Sequence, residues 1–170
     1  MFDRQLIIEA KDTLDMLRDG GLKLATAESC TGGLVSGLLT SIAGSSSVVE
    51  RGFVTYSNEA KAEMLGISMA LIDQHGAVSE QVAREMAEGA LKKSRANVAV
   101  SVTGIAGPGG GSKYKPVGLV HFACARLEMP THHVCMNYGD IGRDKIRHMS
   151  IGTALAMIRQ SVSQGGGMFA

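Results

Sequence analysis

The chain is poor in cysteine: Cys30, Cys124 and Cys135 are an odd, widely spaced set that supplies neither a disulfide framework nor a metal knuckle. It also lacks an excess of charge of either sign. Lys and Arg total 17 against 16 Asp and Glu, the formal net charge is +1, and the basic residues are scattered. That is not the electrostatic footprint of a nucleic-acid binder, so no DNA or RNA partner is expected. No apolar run approaches the length that crosses a bilayer, and Met1-Phe-Asp-Arg-Gln5 has no basic-then-apolar signal pattern. No membrane partner is expected, and the expected location is the cytoplasm. There is no internal repeat. His132 and His133 are adjacent and point to opposite faces of an expected strand, which spoils them as a metal pair, and no metal site is expected. What is present is a 170-residue chain that is 45% hydrophobic and 19% charged, enough for one ample core. We expect a single domain over residues 1–163 and a flexible tail at 164–170.

The chain is organised around Ala25-Thr-Ala-Glu-Ser-Cys-Thr-Gly-Gly33, a polar, glycine-hinged seam between two apolar stretches. Leu22, Leu24 and Ala25 read as a short buried strand. Leu34, Val35, Leu38, Leu39 and Ile42 recur at helical spacing. The turn thus places Glu28, Ser29, Cys30 and Thr31 at a helix N-terminus, where unpaired N–H groups and the helix dipole favour developing negative charge. A hydroxyl there is placed to attack a carbonyl, with the N–H groups of Cys30, Thr31, Gly32 and Gly33 ready for the oxyanion. Ser and Thr are also ordinary N-cap residues, so this stretch alone leaves a purely structural role open.

In chain order, Leu6, Ile7, Ala10, Leu14 and Leu17 form a helical stripe ending at Gly20-Gly21. After the helix through Ile42 and a loop at residues 43–47, Val48 to Tyr56 reads as a strand. Asn58 is placed to cap a short helix to Leu65, and Ser68 to Gln74 makes a further helical turn or two. Ser79 caps an amphipathic helix with Val82, Ala83, Met86, Ala87, Ala90 and Leu91 on one face. Val98 to Thr103 and Val117 to Ala125 read as inner strands, and Thr131 to Tyr138 as a more polar strand near an edge. The few residues around Pro130 are too short for a crossover, so the last two strands should be antiparallel. A closing helix spans Asp140 to Ser163. The pattern is α/β, a three-layer α/β/α sandwich with a mixed, mostly parallel sheet.

Three further clusters could carry chemistry. Thr55-Tyr-Ser-Asn-Glu-Ala-Lys61 runs from a strand end into a helix, where Tyr56 and Lys61 could converge; a desolvated lysine becomes a usable base, as in serine-lysine pairs. A helix-surface lysine after a strand-terminal tyrosine is the plain alternative. Thr103-Gly-Ile-Ala-Gly-Pro-Gly-Gly-Gly-Ser112 has the backbone of an anion or substrate loop, through Thr103, Gly104, Gly107, Gly109 and Gly110, without matching either standard nucleotide fingerprint. Arg143 and Arg147 lie one turn apart at the start of the last helix, where arginine suits a phosphate or simply a solvated face.

Together, Thr26-Ala-Glu-Ser-Cys-Thr-Gly-Gly33, Thr55 to Lys61, Gly76-Ala-Val-Ser79 and Ser101-Val-Thr-Gly-Ile-Ala-Gly-Pro-Gly-Gly110 resemble, in order and spacing, the C-terminal domain family of competence/damage-inducible protein CinA. The resemblance covers nearly the whole chain, and the stand-alone members of that family are nicotinamide-nucleotide amidohydrolases. It implies a three-layer α/β/α fold. It also implies hydrolysis of the carboxamide of nicotinamide mononucleotide to nicotinate mononucleotide and ammonia, a pyridine-nucleotide salvage step, without a metal or an organic cofactor. Ser29 matches the family nucleophile, and Tyr56 and Lys61 match the residues that complete its catalytic group. Arg143 and the glycine loop are then candidates for the substrate phosphate, and members of the family are often homo-oligomers. The molybdopterin-binding-like domain of longer relatives lies outside the resemblance. Two other readings stay open: a non-catalytic nucleotide-binding module, and an amidase for another small carboxamide. Cys30 is an alternative nucleophile, although no histidine stands in a recognisable partner position.

Overall fold

The computed structural model describes residues 2–165. Its sheet has five strands in the order β2-β1-β3-β4-β5: β1 (Leu24–Glu28), β2 (Val49–Val54), β3 (Val98–Gly104), β4 (Leu119–Arg126) and β5 (Met129–Asn137). The six helices are α1 (Arg4–Asp19), α2 (Leu34–Thr40), α3 (Asn58–Leu65), α4 (Met69–His75), α5 (Glu80–Lys92) and α6 (Arg143–Gly165). β1 pairs in parallel with β2 and β3, while β4 runs antiparallel to β3 and to β5. The sheet is therefore mixed, as expected, with the parallel pairing confined to β2-β1-β3 and the rest supplied by the antiparallel β4-β5 hairpin.

Strand alternation sorts the two faces. Leu24, Val98, Val100, Val102, Val120 and Phe122 pack with the apolar stripes of α1, α2 and α6. Ala25, Ala27, Phe53 and Ala99 point the other way, to α3, α4 and α5. Ala83 and Ala87 of α5 lie against Ala123 and Ala125 of β4, small side chains on both sides that let the helix approach closely. Each fully buried Leu, Val or Phe contributes about 1.5–3 kcal/mol of transfer free energy, and both layers are filled with them or with alanines. β1 is buried at every residue, so its C-terminal end is a rigid platform.

Several boundaries differ from the expectation, each for a local reason. β1 continues to Glu28, because Thr26, Ala27 and Glu28 pair with both neighbouring strands. Glu28 is thus a strand residue. The N-cap of α3 is Ser57, whose side chain accepts the N–H of Ala60; Asn58 is the first helical residue. The β4-β5 turn falls at Leu127-Glu128, with Glu128 left-handed at φ 63°, and Pro130 lies inside edge strand β5, where a missing donor is tolerated. α6 starts at Arg143, after Gly139 and Gly142 in the left-handed region, and runs to Gly165. The tail expected at 164–170 thus begins within that helix, and residues 166–170 lie outside the described ones. Among the described residues no helix is long and apolar enough to cross a membrane.

Candidate active site

The C-terminal ends of β1, β2 and β3 open onto one small cavity of about 250 Å³. Ser29 leaves β1 with its N–H bound to the Val102 carbonyl of β3 at 2.9 Å, which fixes the first residue of the turn. The turn is tied to α2 from below. Glu28 is fully buried, and its carboxylate accepts the N–H of Val35 at 2.8 Å and of Ser36 at 3.0 Å, doing from a strand what a side-chain cap does from a loop. Gly33, left-handed at φ 95°, offers no side chain for that role.

Lys61 reaches the same point from α3. It is only 1% exposed, and its Nζ donates to Ser29 Oγ at 3.1 Å and to the Thr55 carbonyl at 2.9 Å. Burial pushes its pKa below the usual lysine range, with the nearby Cys30 opposing the shift. The helix-surface alternative for Lys61 is therefore ruled out by position. Cys30 is also buried, and burial pushes its thiol up to about 12, so it carries no thiolate at neutral pH and is unsuited to be the nucleophile.

Tyr56 does not meet Lys61 by a hydrogen bond. Its hydroxyl accepts from Arg143 Nη2 at 2.9 Å, while Arg143 Nη1 donates to the Gly107 carbonyl, also at 2.9 Å. Arg143 thereby straps the glycine loop to Tyr56 beside the cavity, and Tyr56 is 61% exposed. Gly104, Gly107, Gly109 and Gly110 line the cavity with Ser29 and Arg143. Thr103 does not: it is buried, and its Oγ1 donates to the Ala77 carbonyl, so its hydroxyl braces β3 against the Gly76 to Ser79 turn. That turn is itself closed by Ser79, which caps α5 and donates to the Gly76 carbonyl.

The oxyanion donors narrow in the same way. Gly32 N–H is committed to the Ser29 carbonyl at 3.0 Å and is not free. Among the described residues no acceptor takes the N–H of Cys30, Thr31 or Gly33. Arg147 holds this turn from α6, with Nε on the Cys30 carbonyl at 3.2 Å and Nη2 on the Thr31 carbonyl at 3.3 Å. Sequence reasoning placed Arg147 beside Arg143 as a phosphate or surface residue and missed the clamp, as it missed Glu28 as the cap of α2. An acid just before a helix with a glycine at its N-cap was the available signal for Glu28; nothing local signalled Arg147, whose partners are more than 110 residues away in the chain.

A three-layer sandwich with a buried serine-lysine pair at the parallel strand ends defines a class, and the comparisons give it a family. The CinA C-terminal domain model matches residues 8–162, and the chain belongs to that family. It is 51% identical over 166 residues to the nicotinamide-nucleotide amidohydrolase PncC of Escherichia coli K12, covering 96% of this chain and 99% of that protein. It is 46% identical to a putative competence-damage inducible protein of Caldicellulosiruptor bescii, covering 94% of this chain and 38% of that longer protein. Among solved structures, the competence/damage inducible protein CihA of Agrobacterium tumefaciens superposes with a TM-score of 0.93 at 52% identity, covering 96% of this chain and 98% of the other.

Proposed function

We propose that this chain is a nicotinamide-nucleotide amidohydrolase that converts nicotinamide mononucleotide and water to nicotinate mononucleotide and ammonia through Ser29. The observation that carries the reading is the buried Lys61 Nζ at 3.1 Å from Ser29 Oγ, with Ser29 and Cys30 lining the cavity. The end-to-end similarity to the E. coli PncC supports the substrate class.

In this reading the depressed pKa leaves a fraction of Lys61 neutral, and the lone pair on Nζ takes the Ser29 proton as Oγ bonds to the carboxamide carbon. The Thr55 carbonyl keeps Nζ aimed by accepting one of its N–H bonds. The oxyanion is received by the unpartnered N–H groups of Cys30, Thr31 and Gly33, held in place by Arg147. Lys61 then returns the proton to the departing nitrogen, the C–N bond breaks and ammonia leaves. Water attacks the ester with Lys61 again as base, releasing the carboxylate and restoring Ser29.

The test is ammonia release from nicotinamide mononucleotide by the purified protein, with free nicotinamide for comparison. Release from the nucleotide that drops about 10³-fold or more in Ser29→Ala is the expected result, the scale of loss for a nucleophile acting with a base. No release by the wild type, or an unaffected Ser29→Ala, would overturn the proposal.

A further inference from the structure

We propose that His121 and Cys135 bind Zn²⁺ or a similar transition-metal ion on the face of the sheet that α5 covers, apart from the cavity at Ser29, with His133 and Glu80 aiming the ligands. The two ligand residues lie directly opposite each other on β4 and β5. His121 shares its face with Ala123 and Ala125, which pack on α5, since alternate strand residues point the same way. Across the pair, Cys135 Sγ stands 3.7 Å from His121 Nε2. Zinc bound to sulfur at about 2.3 Å and to nitrogen at about 2.0–2.1 Å, at a tetrahedral angle, holds those two atoms about 3.6 Å apart. The fold itself sets both ligand atoms at the spacing this metal takes.

The rest of the cluster decides which atom of His121 is available. His121 Nδ1 is 2.9 Å from His133 Nε2, and His133 Nδ1 is 3.6 Å from Glu80 Oε2 on α5. Arg84 takes the other oxygen of Glu80 at 2.8 Å. Burial lowers the pKa of both rings, with the Glu80 carboxylate opposing, so both are neutral at pH values above the usual histidine range. A neutral His133 that points its Nδ1–H at the carboxylate accepts the Nδ1–H of His121 at Nε2. The Nε2 lone pair of His121 then faces Cys135 Sγ, the arrangement of a metal-binding histidine whose other nitrogen is held by a second group. Cys135 lies at the surface, where a metal can reach it. Partial burial, then Glu80, raises its pKa, so the thiol keeps its proton until a metal displaces it. Coordination replaces the S–H bond with a sulfur–metal bond, the proton passes to buffer, and two of the metal's waters leave. A thiolate with an imidazole selects zinc and its neighbours over magnesium or calcium, which take oxygen ligands. Among the described residues no three such side chains converge to hold a metal, so water fills the remaining positions. His133 has its partner across the strands rather than beside it in sequence, so the adjacency of His132 and His133 carried no sign of the site.

The experiment titrates the reduced, chelator-washed, tag-free protein with Co²⁺, read by the thiolate-to-cobalt charge-transfer absorption in the near ultraviolet, and then displaces the cobalt with Zn²⁺. The wild type should develop the band, saturate at one metal per chain and lose the band to zinc but not to Mg²⁺. Calorimetry in two buffers of different ionisation enthalpy should show about one proton released per metal, that of the Cys135 thiol. Cys135→Ser should remove the band, since Cys30 and Cys124 are buried. His133→Gln should keep the band with about 10-fold weaker affinity, the scale for losing a group that orients a ligand, and His121→Gln should weaken binding further. No saturable band in the wild type, a band that survives Cys135→Ser, or an affinity unchanged in His121→Gln would overturn the site. Saturation at half a metal per chain would overturn its completion by water, and an affinity unchanged in His133→Gln would overturn the role given to His133. None of these readouts involves ammonia release, so their failure is separate from a failure of the proposed reaction.

Discussion

A lysine that is 1% exposed and holds two hydrogen bonds is an expensive residue for a fold to keep, and the base role proposed for Lys61 would give that cost a use. Desolvation disfavours its charged form, and that same effect favours the neutral amine that the proposed reaction needs as a base. Activity should therefore rise with pH through the lowered pKa of Lys61, and Lys61→Met should reduce kcat by about 10²–10⁴, the range for losing a positioned base. The stability consequence has a definite sign. Between the lowered folded value and the unfolded value of about 10.4, the unfolded chain binds a proton that the folded chain does not, so stability rises with pH across that window. Below the window the burial penalty is fully present. Urea unfolding of the wild type and Lys61→Met as a pH series should thus show the wild type gaining on the variant as pH climbs through that window. Parallel profiles would mean that Lys61 is not desolvated in solution.

At the level of elements, the site depends on how tightly helices seat on the sheet. α5 lies close enough that a Cβ at Gly89 would run into the Leu65 carbonyl at the end of α3, a backbone atom that cannot turn aside. Gly89 sits in the interior of α5, where replacing glycine with alanine ordinarily stabilises a helix by about 1 kcal/mol. Here the close approach decides the outcome. Gly89→Ala should destabilise the protein by about 1–3 kcal/mol, as overpacking does, and since α3 carries Lys61 it should also lower activity in the folded variant. Chemical denaturation gives the first number; a gain in stability would show that α3 yields easily and that its position is not set by α5. The short helix α2 depends on its neighbour in the same way, with Glu28 of β1 supplying the cap that Gly33 lacks.

Over the whole molecule, the candidate site draws Ser29 from the end of β1, Tyr56 and Lys61 from the β2-α3 connection, the glycines from the loop after β3 and Arg143 from α6. Residues that far apart in the chain meet only when both layers are packed on the sheet, so we propose that residues 1–163 form one cooperative unit. Calorimetric unfolding should give a single transition with equal calorimetric and van't Hoff enthalpies; two resolved transitions would argue for separable halves. Much of this architecture was legible in the chain. Apolar periodicity gave α1, α5 and the inner strands, a short Pro-containing link gave the β4-β5 hairpin, and the seam at 25–33 pointed to Ser29 because helix starts and strand ends have local chemical signatures. Lys61 and Tyr56 were legible as candidates, Lys61 as a base if desolvated, but the burial of the one and the hydrogen-bond partner of the other were not. Whether a lysine is desolvated, which partner takes a tyrosine hydroxyl, whether Thr103 faces a ligand or a carbonyl, and which N–H of a turn stays free are all set by groups distant in sequence. By itself the sequence determined the elements and the residue types available at the strand ends, since these follow from short-range periodicity and capping. Only the tertiary structure decided that Lys61 is buried against Ser29, that Arg143 takes Tyr56 and that Arg147 clamps the turn, because burial and hydrogen-bond partners are properties of packed surfaces.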